Sequence, residues 1–257
     1  MKTIGNGAKV ICPNDECKKK DIKKRRPDHS FKHNCHMVSY FLEKLMAITD
    51  TKEQILEKRG YEPWVQGRQY DLYLSNYPNP AKYLAQRIGN PNKTIAELCC
   101  GVGITTRELA KAFKKVVAAD IDREVIEFNK INLEREKLAD KVSYFVTDIS
   151  KTSFLKKLKT DVVLYDIPYW VAKKFDDGTL NLDKNPDLVT LIGNIRKYVT
   201  HDIIIFAPAH LSYEEIKELL GPVECEQIFV KDKYDRNYYY LGSLMKKDGI
   251  SKKEFTI

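Results

Sequence analysis

The segment Ile95-Ala96-Glu97-Leu98-Cys99-Cys100-Gly101-Val102-Gly103-Ile104, with Val116-Val117-Ala118-Ala119-Asp120-Ile121-Asp122 after it, constrains the fold more than any other part of this chain. It reads as a buried strand, a tight glycine turn, an amphipathic helix and a second buried strand that ends in an acidic residue, the plan of a nucleotide-type cofactor cradle. Gly101 and Gly103 carry no Cβ, so the backbone can turn sharply there and a ligand can come close. Asp120, at the carboxyl end of the second strand, is placed to accept hydrogen bonds from a ribose diol. No third glycine follows Gly103, and the carboxylate of Glu97 precedes the turn. That charge repels a pyrophosphate and attracts a sulfonium cofactor bearing an amino group.

At 257 residues the chain has room for one main domain and a modest appendage. Its net charge of +8, with 31% charged residues, favours a polyanionic partner. No run approaches the roughly 20 apolar residues needed to cross a bilayer, so no membrane role is expected. Met1-Lys2-Thr3-Ile4-Gly5-Asn6 lacks the apolar stretch of a signal peptide. The six cysteines form no obvious disulfide framework, and Cys99-Cys100 fall inside the expected turn, which fits a reducing compartment. The expectation is an intracellular protein, cytoplasmic or nuclear.

Residues 1–36 differ from the rest. Cys12, Cys17, Cys35, His29, His33 and His36 crowd around the charge run Lys18-Lys19-Lys20-Asp21-Ile22-Lys23-Lys24-Arg25-Arg26. Cys12 and Cys17 make a C-x4-C knuckle, while His29 and His33 share one face of a helix that Pro27 can open. Any four of the six residues supply the ligands of a structural zinc site, with Cys12, Cys17, His29, His33 and Cys35 as the leading set. The alternative is a basic arm with incidental cysteines. In both cases the basic residues suit phosphate contact, and a nuclear import signal is a further reading of the same run.

From Met37 to Arg59 apolar residues recur at helical spacing (Val38, Phe41, Leu42, Leu45, Met46, Ile48, then Ile55 and Leu56), which predicts one or two docking helices. The following loop holds Tyr61, Trp64, Tyr70, Tyr73 and Tyr77. These aromatics either line a base pocket or anchor packing. Helix is expected over Pro80–Ile88. Beyond it, β-branched apolar runs alternate with amphipathic stretches, the sign of a mostly parallel sheet covered by helices. Strands are expected near 94–100, 115–120, 142–148, 161–166, 201–208, 225–232 and 237–245, and helices near 105–113, 123–138, 150–158, 186–199 and 212–220. The last two strands should form an antiparallel hairpin at the sheet edge, joined by Lys233-Tyr234-Asp235-Arg236. The organisation is therefore a basic Cys/His segment (1–36), a helical and aromatic-loop extension (37–90) and an α/β domain (91–250).

Four expected strands end in acidic or polar clusters: Glu97 to Gly103, Asp120-Ile121-Asp122, Thr147-Asp148 and Asp166-Ile167-Pro168-Tyr169-Trp170. Each alone is readable as a turn residue or helix cap. Together they mark one ligand site beyond the strand tips.

The first of these clusters resembles the leading motif of class I S-adenosylmethionine (SAM)-dependent methyltransferases, an acidic residue followed by x-G-x-G-x-G, with Cys99 in the place of the first glycine. The resemblance implies a doubly wound, mostly parallel seven-stranded sheet ending in that antiparallel hairpin. It also implies cofactor contacts from Glu97, Cys99, Gly101, Gly103, Asp120, Ile121, Thr147 and Asp148. Asp166-Ile167-Pro168-Tyr169 is similar to the (D/N/S)-P-P-(Y/F/W) motif of enzymes that methylate exocyclic amino groups of nucleobases, with Ile167 replacing the first proline. It implies Asp166 as acceptor of the amino N–H, Pro168 as a rigid carbonyl, and Tyr169 or Trp170 as the stacking ring.

From Gly60 to Lys247 the chain further resembles the trimethylguanosine synthases, which methylate N2 of the 7-methylguanosine RNA cap. Ser75-Asn76-Tyr77-Pro78, Cys100-Gly101-Val102-Gly103, Ala119-Asp120-Ile121-Asp122, Asp161-Val162-Val163-Leu164 and Ile204-Ile205-Phe206-Ala207-Pro208 carry that likeness. The family's S-P-P-W falls on Asp166 to Tyr169, which puts a tyrosine where the family stacks a tryptophan on the cationic base. The resemblance implies SAM as cofactor and capped RNA as partner. Amino groups of tRNA, rRNA or DNA bases are the alternative targets, and a non-catalytic RNA-binding protein is the alternative of another class. The polar loop 171–185 either closes over the substrate or is a solvated connection.

Overall fold

The computed structural model describes residues 49–168 and 188–257. All described residues belong to one compact unit. The proposed zinc ligands, the docking helix over 37–48, the loop 171–185 and the pair Tyr169 and Trp170 lie outside the described residues.

The elements run α1 (Lys52–Arg59), α2 (Gln69–Leu74), α3 (Pro78–Ile88), β1 (Thr94–Leu98), α4 (Ile104–Ala112), β2 (Lys115–Asp120), α5 (Arg123–Arg135), β3 (Val142–Val146), α6 (Thr152–Leu155), β4 (Val162–Asp166), α7 (Leu188–Tyr198), β5 (Ile203–Pro208), α8 (Tyr213–Leu220), β6 (Glu224–Val230), β7 (Lys233–Leu241) and β8 (Gly249–Phe255). Local chemistry fixes several boundaries. A capping box opens α1 at Thr51 with Gln54, and Gly60 closes it in the left-handed conformation. A second capping box, Ser212 with Glu215, opens α8. Proline begins α3, where the missing N–H has no partner to lose.

The sheet order is β3-β2-β1-β4-β5-β7-β6-β8. Strands β1 to β5 run parallel to one another, and β7 runs antiparallel between β5 and β6. One face packs on α3, α4 and α5 through Leu84, Leu109 and Leu133. The other packs on α6, α7 and α8 through Leu155, Leu191 and Ile216. Strands buried on both faces explain the long apolar runs. The run Tyr238-Tyr239-Tyr240 obeys the same rule, since its rings alternate between the two cores and each hydroxyl finds a partner: Asn76, the Leu211 carbonyl and Glu226 respectively.

The structure corrects the sequence-based expectation in five respects. The sheet has eight strands, not seven, because Gly249–Phe255 adds to β6 in parallel register. The β6–β7 hairpin is therefore not the edge of the sheet. Its turn is Lys231-Asp232, both residues at positive φ (49° and 61°), the geometry of a two-residue turn that matches strand twist; Lys233 to Arg236 already belong to β7. The expected helix over 150–158 is one short turn, Thr152–Leu155, and the aromatic stretch expected as loop contains α2.

Candidate functional site

Strand order reverses between β1 and β4, and in open α/β sheets that reversal opens a crevice at the carboxyl ends of the strands. Register fixes what borders it. Leu98 lies opposite Ala119 in β2 and Tyr165 in β4, so the chain leaving β1 emerges between Asp120 and Asp166. Asp120 lies opposite Val146 in β3, and its carbonyl accepts from the Thr147 N–H (2.8 Å). The four tips named from sequence thus share one edge of one sheet.

The turn after β1 is built for close approach. Cys99, Gly101 and Gly103 all have positive φ, at 63°, 54° and 93°. A Cβ on Gly101 would meet only Ser75 Oγ, at 3.9 Å, so the space above it is open. A Cβ on Gly103 would lie 2.5 Å from Asn129 Oδ1 and 2.6 Å from its Cγ. Asn129 is fully buried and ties the turn to the helices: its amide donates to the Gly101 carbonyl (3.2 Å) and to Thr106 Oγ1 (3.0 Å). Thr106 in turn donates to Glu97 Oε2 at 2.6 Å. Cys99 is a non-glycine residue in the left-handed region, at a cost of about 1–2 kcal/mol.

The electrostatics are lopsided. Glu97 is only 2% exposed; burial holds its carboxyl well above the usual carboxylate range, with Asp166 and Asp120 adding to the shift and the Thr106 hydroxyl opposing it. Burial also raises Asp120, against the backbone N–H groups of Asp122 and Gly101 that its oxygens accept. Asp166 is pushed up to about 6 by burial, with Arg236 opposing and Asp235 and Asp120 assisting. The Cys99 thiol is raised by burial and then by Asp120, Asp166, Glu97 and Asp148, all four of the acids that the sequence assigned to the site. Asp148 Oδ1 accepts from the Ser150 N–H and Oγ (2.9 and 2.6 Å), a local turn. Ile121 stands 69% exposed at the β2 tip, an apolar face beside Asp120. Ile167 is buried below the crevice, its N–H bonded to the Phe206 carbonyl, and Pro168 follows it at the rim.

Several members of the site were not legible in the sequence. Thr106 and Asn129 carry the hydrogen bonds that hold the glycine turn. Asn76 is buried, bonds Tyr238 (2.8 Å) and Thr105 (3.3 Å), and so seats the aromatic stretch against α4 and β7. Arg236, at the start of β7, lies 3.8 Å from Asp166 Oδ2 and donates from Nε to Asp235 (2.6 Å). The aromatics divide. Tyr61 is an anchor, 5% exposed, with its hydroxyl nearest the Asn76 carbonyl at 2.7 Å. Trp64 packs against the small core of Val65, Leu72 and Val102. Tyr73 and Tyr77 flank the Arg59 guanidinium at 5.3 and 4.3 Å. The stretch is latched onto α5 by Arg68, which pairs with Asp122 and Glu124.

Acids in a largely buried crevice, with Arg236 the one arginine beside them among the described residues, fit a cationic ligand. SAM carries a sulfonium and an ammonium, charges that suit such a crevice. The open Gly101 turn leaves room for its backbone approach. Among the described residues there is no cluster of three metal-ligating side chains, and no helix is long and apolar enough to cross a membrane.

Residues 95–176 match the family model described as a methyltransferase domain. Over 82 residues, 32% of this chain, the sequence is 32% identical to a mitochondrial ribosomal RNA small subunit methyltransferase from Arabidopsis thaliana; the chain spans about a fifth (21%) of that relative's length. Among solved structures, one from Porphyromonas gingivalis W83 assigned as a methyltransferase superposes with a TM-score of 0.57 at 14% identity, covering 70% of this chain and 45% of that one. Magnesium protoporphyrin IX methyltransferase from Synechocystis PCC 6803, solved with bound SAM, gives 0.51 at 14% identity, covering 84% of this chain and 100% of that one. The chain therefore has the Rossmann-like fold of SAM-dependent methyltransferases and carries, over residues 95–176, a segment matching their methyltransferase domain.

Proposed function

We propose that this protein is a SAM-dependent methyltransferase acting on an exocyclic amino nitrogen of an RNA base, with N2 of a 7-methylguanosine cap as its leading target. The observation that carries the reading is the convergence of Glu97, Asp120 and Asp166 on one crevice, all with ionisation disfavoured by burial. When bound there, SAM supplies an electrophilic methyl carbon. Glu97, with Gly101 and Gly103, receives the methionyl end; Asp120 accepts from the ribose diol; Ile121 and Cys99 flank the adenosine, with Thr147 and Asp148 at the adenine amino group.

An exocyclic amino nitrogen is a poor nucleophile because its lone pair is delocalised into the ring. Asp166, with the Pro168 carbonyl, accepts its N–H bonds, and Tyr169 or Trp170 stacks on the base. Orienting the lone pair toward the methyl carbon while a carboxylate stabilises the developing positive charge supplies most of the acceleration. The basic run 18–26 holds the RNA by its phosphates. Zinc on four of Cys12, Cys17, His29, His33, Cys35 and His36 would order that arm.

The local likeness to a small subunit rRNA methyltransferase favours rRNA as the second target. Incubating the protein with tritiated SAM and, in parallel, a 7-methylguanosine dinucleotide, unmethylated cap, rRNA, tRNA and DNA separates the readings. Label on the cap analogue at N2 supports the leading target. Label confined to rRNA, tRNA or DNA replaces it, and label on none with intact cofactor binding rejects a nucleic-acid substrate.

A further inference from the structure

The described surface holds several charged clusters, of which most brace the fold. Arg87 joins α3 to Glu224 and Glu226, and Arg107 joins α4 to Glu62 and Glu136. Arg236 differs in its location. Its side chain is 12% exposed, it enters the crevice from β7, and it is the cation paired with the acid at the β4 tip.

Register explains how it gets there. Arg236 lies opposite Pro208, the last residue of β5, and β7 runs antiparallel to β5, so residues that open β7 sit at the same sheet edge as those that close β4 and β5. The insertion of an antiparallel strand is thus what lets a residue far along the chain reach Asp166. Tyr61 and Tyr77, from the aromatic stretch, and Tyr238, from β7 itself, all feel the Arg236 charge. The guanidinium therefore lies where β7, β4 and the 61–77 segment meet.

We infer that Arg236 is a positioning residue for methyl transfer: braced on Asp235, its guanidinium holds the Asp166 carboxylate ionised and aimed into the crevice, where that carboxylate accepts an N–H of the target amino group. The inference rests on the proposed function. Asp166 faces Glu97 and Cys99 from β1, Asp120 from β2, and Asp235, Arg236 and Tyr238 from β7. Among the described residues, the charged neighbours other than Arg236 are acidic and favour the protonated form, which cannot accept as a carboxylate. At 3.8 Å the guanidinium is close enough to oppose them. The bond to Asp235 at 2.6 Å fixes the guanidinium plane and leaves Nη1 toward Asp166.

The test uses the full chain with Arg236→Met, Arg236→Lys, Asp235→Asn and Asp166→Asn. Carboxyl 13C NMR gives the Asp166 titration, assigned by the signal lost in Asp166→Asn, and needs no substrate. Arg236→Met should raise the midpoint by about one unit, a tenfold change in the protonation equilibrium. Arg236→Lys should restore at least half of the shift, and Asp235→Asn should move the midpoint the opposite way by removing a like charge. With a methyl-accepting RNA in hand, kcat/KM of Arg236→Met should fall about fivefold near pH 6, about tenfold below pH 5, and approach wild type near pH 9. An Asp166 midpoint that stays put in a folded Arg236→Met, or that moves the same way in Arg236→Met and Asp235→Asn, overturns the inference. Midpoints that shift as expected in a protein that methylates nothing leave the electrostatic role standing and reject the function it was assigned to.

Discussion

Replacing Gly103 by alanine tests the cradle at its most constrained point. Two penalties combine there. The backbone is left-handed at φ 93°, which costs a residue with a Cβ about 1–2 kcal/mol. The new methyl would also lie 2.5–2.6 Å from the Asn129 amide, which is fully buried and must move, loosening its bonds to Gly101 and Thr106. Two hydrogen bonds at roughly 1 kcal/mol each bring the total to about 3–4 kcal/mol. For a domain of this size that is a fall in Tm of roughly 6–16 °C. Gly221 provides a control that is free of a clash: φ 85° and ψ −157° place it in a region open essentially to glycine, with nothing within 4 Å of its Cβ position. Gly221→Ala should show a conformational penalty alone, about 1–3 kcal/mol. The assay is thermal melting with calorimetric titration of S-adenosylhomocysteine (SAH) on the same preparations. Gly103→Ala should lose more stability than Gly221→Ala and weaken SAH binding at least tenfold, while Gly221→Ala binds normally. A loss of no more than about 2 kcal/mol in Gly103→Ala, the backbone penalty alone, or wild-type SAH affinity in it, refutes the close approach of Asn129 as the reason for glycine at 103.

Other perturbations have defined outcomes. Asp166 has a folded value of about 6 against an ordinary value near 3.9 in an unfolded chain, so stability falls as pH rises through that window and stays reduced above it. Asp166→Asn should therefore stabilise the protein near neutral pH; the full shift corresponds to about 3 kcal/mol, and screening at a side chain 31% exposed brings it to about 1–2 kcal/mol, fading below about pH 4 when followed by chemical denaturation. Gly193 lies on the exposed side of α7 with nothing near its Cβ position, so Gly193→Ala should raise stability by about 0.5–1 kcal/mol in the same assay. Burial raises the Cys99 and Cys100 thiols and pushes Cys225 up to about 12, so these three should react with a thiol-specific disulfide reagent far more slowly in the native than in the unfolded protein near pH 8. Metal analysis of chelator-washed protein tests the Cys/His segment: below about a tenth of an equivalent, a tight zinc site is absent.

Much of the site was legible because parallel strands buried on both faces announce themselves as apolar runs, and a lone acid at the end of such a run has few places to go. Glu97, Asp120 and Asp166 were found in this way. Thr106 and Asn129 were not, since a threonine and an asparagine inside amphipathic helices look the same whether they bond a buried carboxylate or solvent. Arg236 was read as part of a turn because Lys231-Asp232 lacks the asparagine–glycine signature of a two-residue hairpin; only the pairing with β5 shows that it belongs to the crevice. Strand β8 escaped notice because Gly-Ile-Ser-Lys-Lys-Glu-Phe has the polarity of a surface segment, and it pairs only on the side facing β6. The aromatics of 61–77 were open to two readings, and they divide: Tyr61 and Trp64 pack, while Tyr73 and Tyr77 hold an arginine at the surface.

The most direct test of the account is calorimetric titration of SAH and SAM into wild type, Glu97→Gln and Asp120→Ala. One ligand per chain is expected, with each substitution weakening binding by at least tenfold, or 1.4 kcal/mol. No saturable heat with either ligand, or the same affinity in all three proteins, would contradict a single adenosyl-sulfonium site at these strand tips.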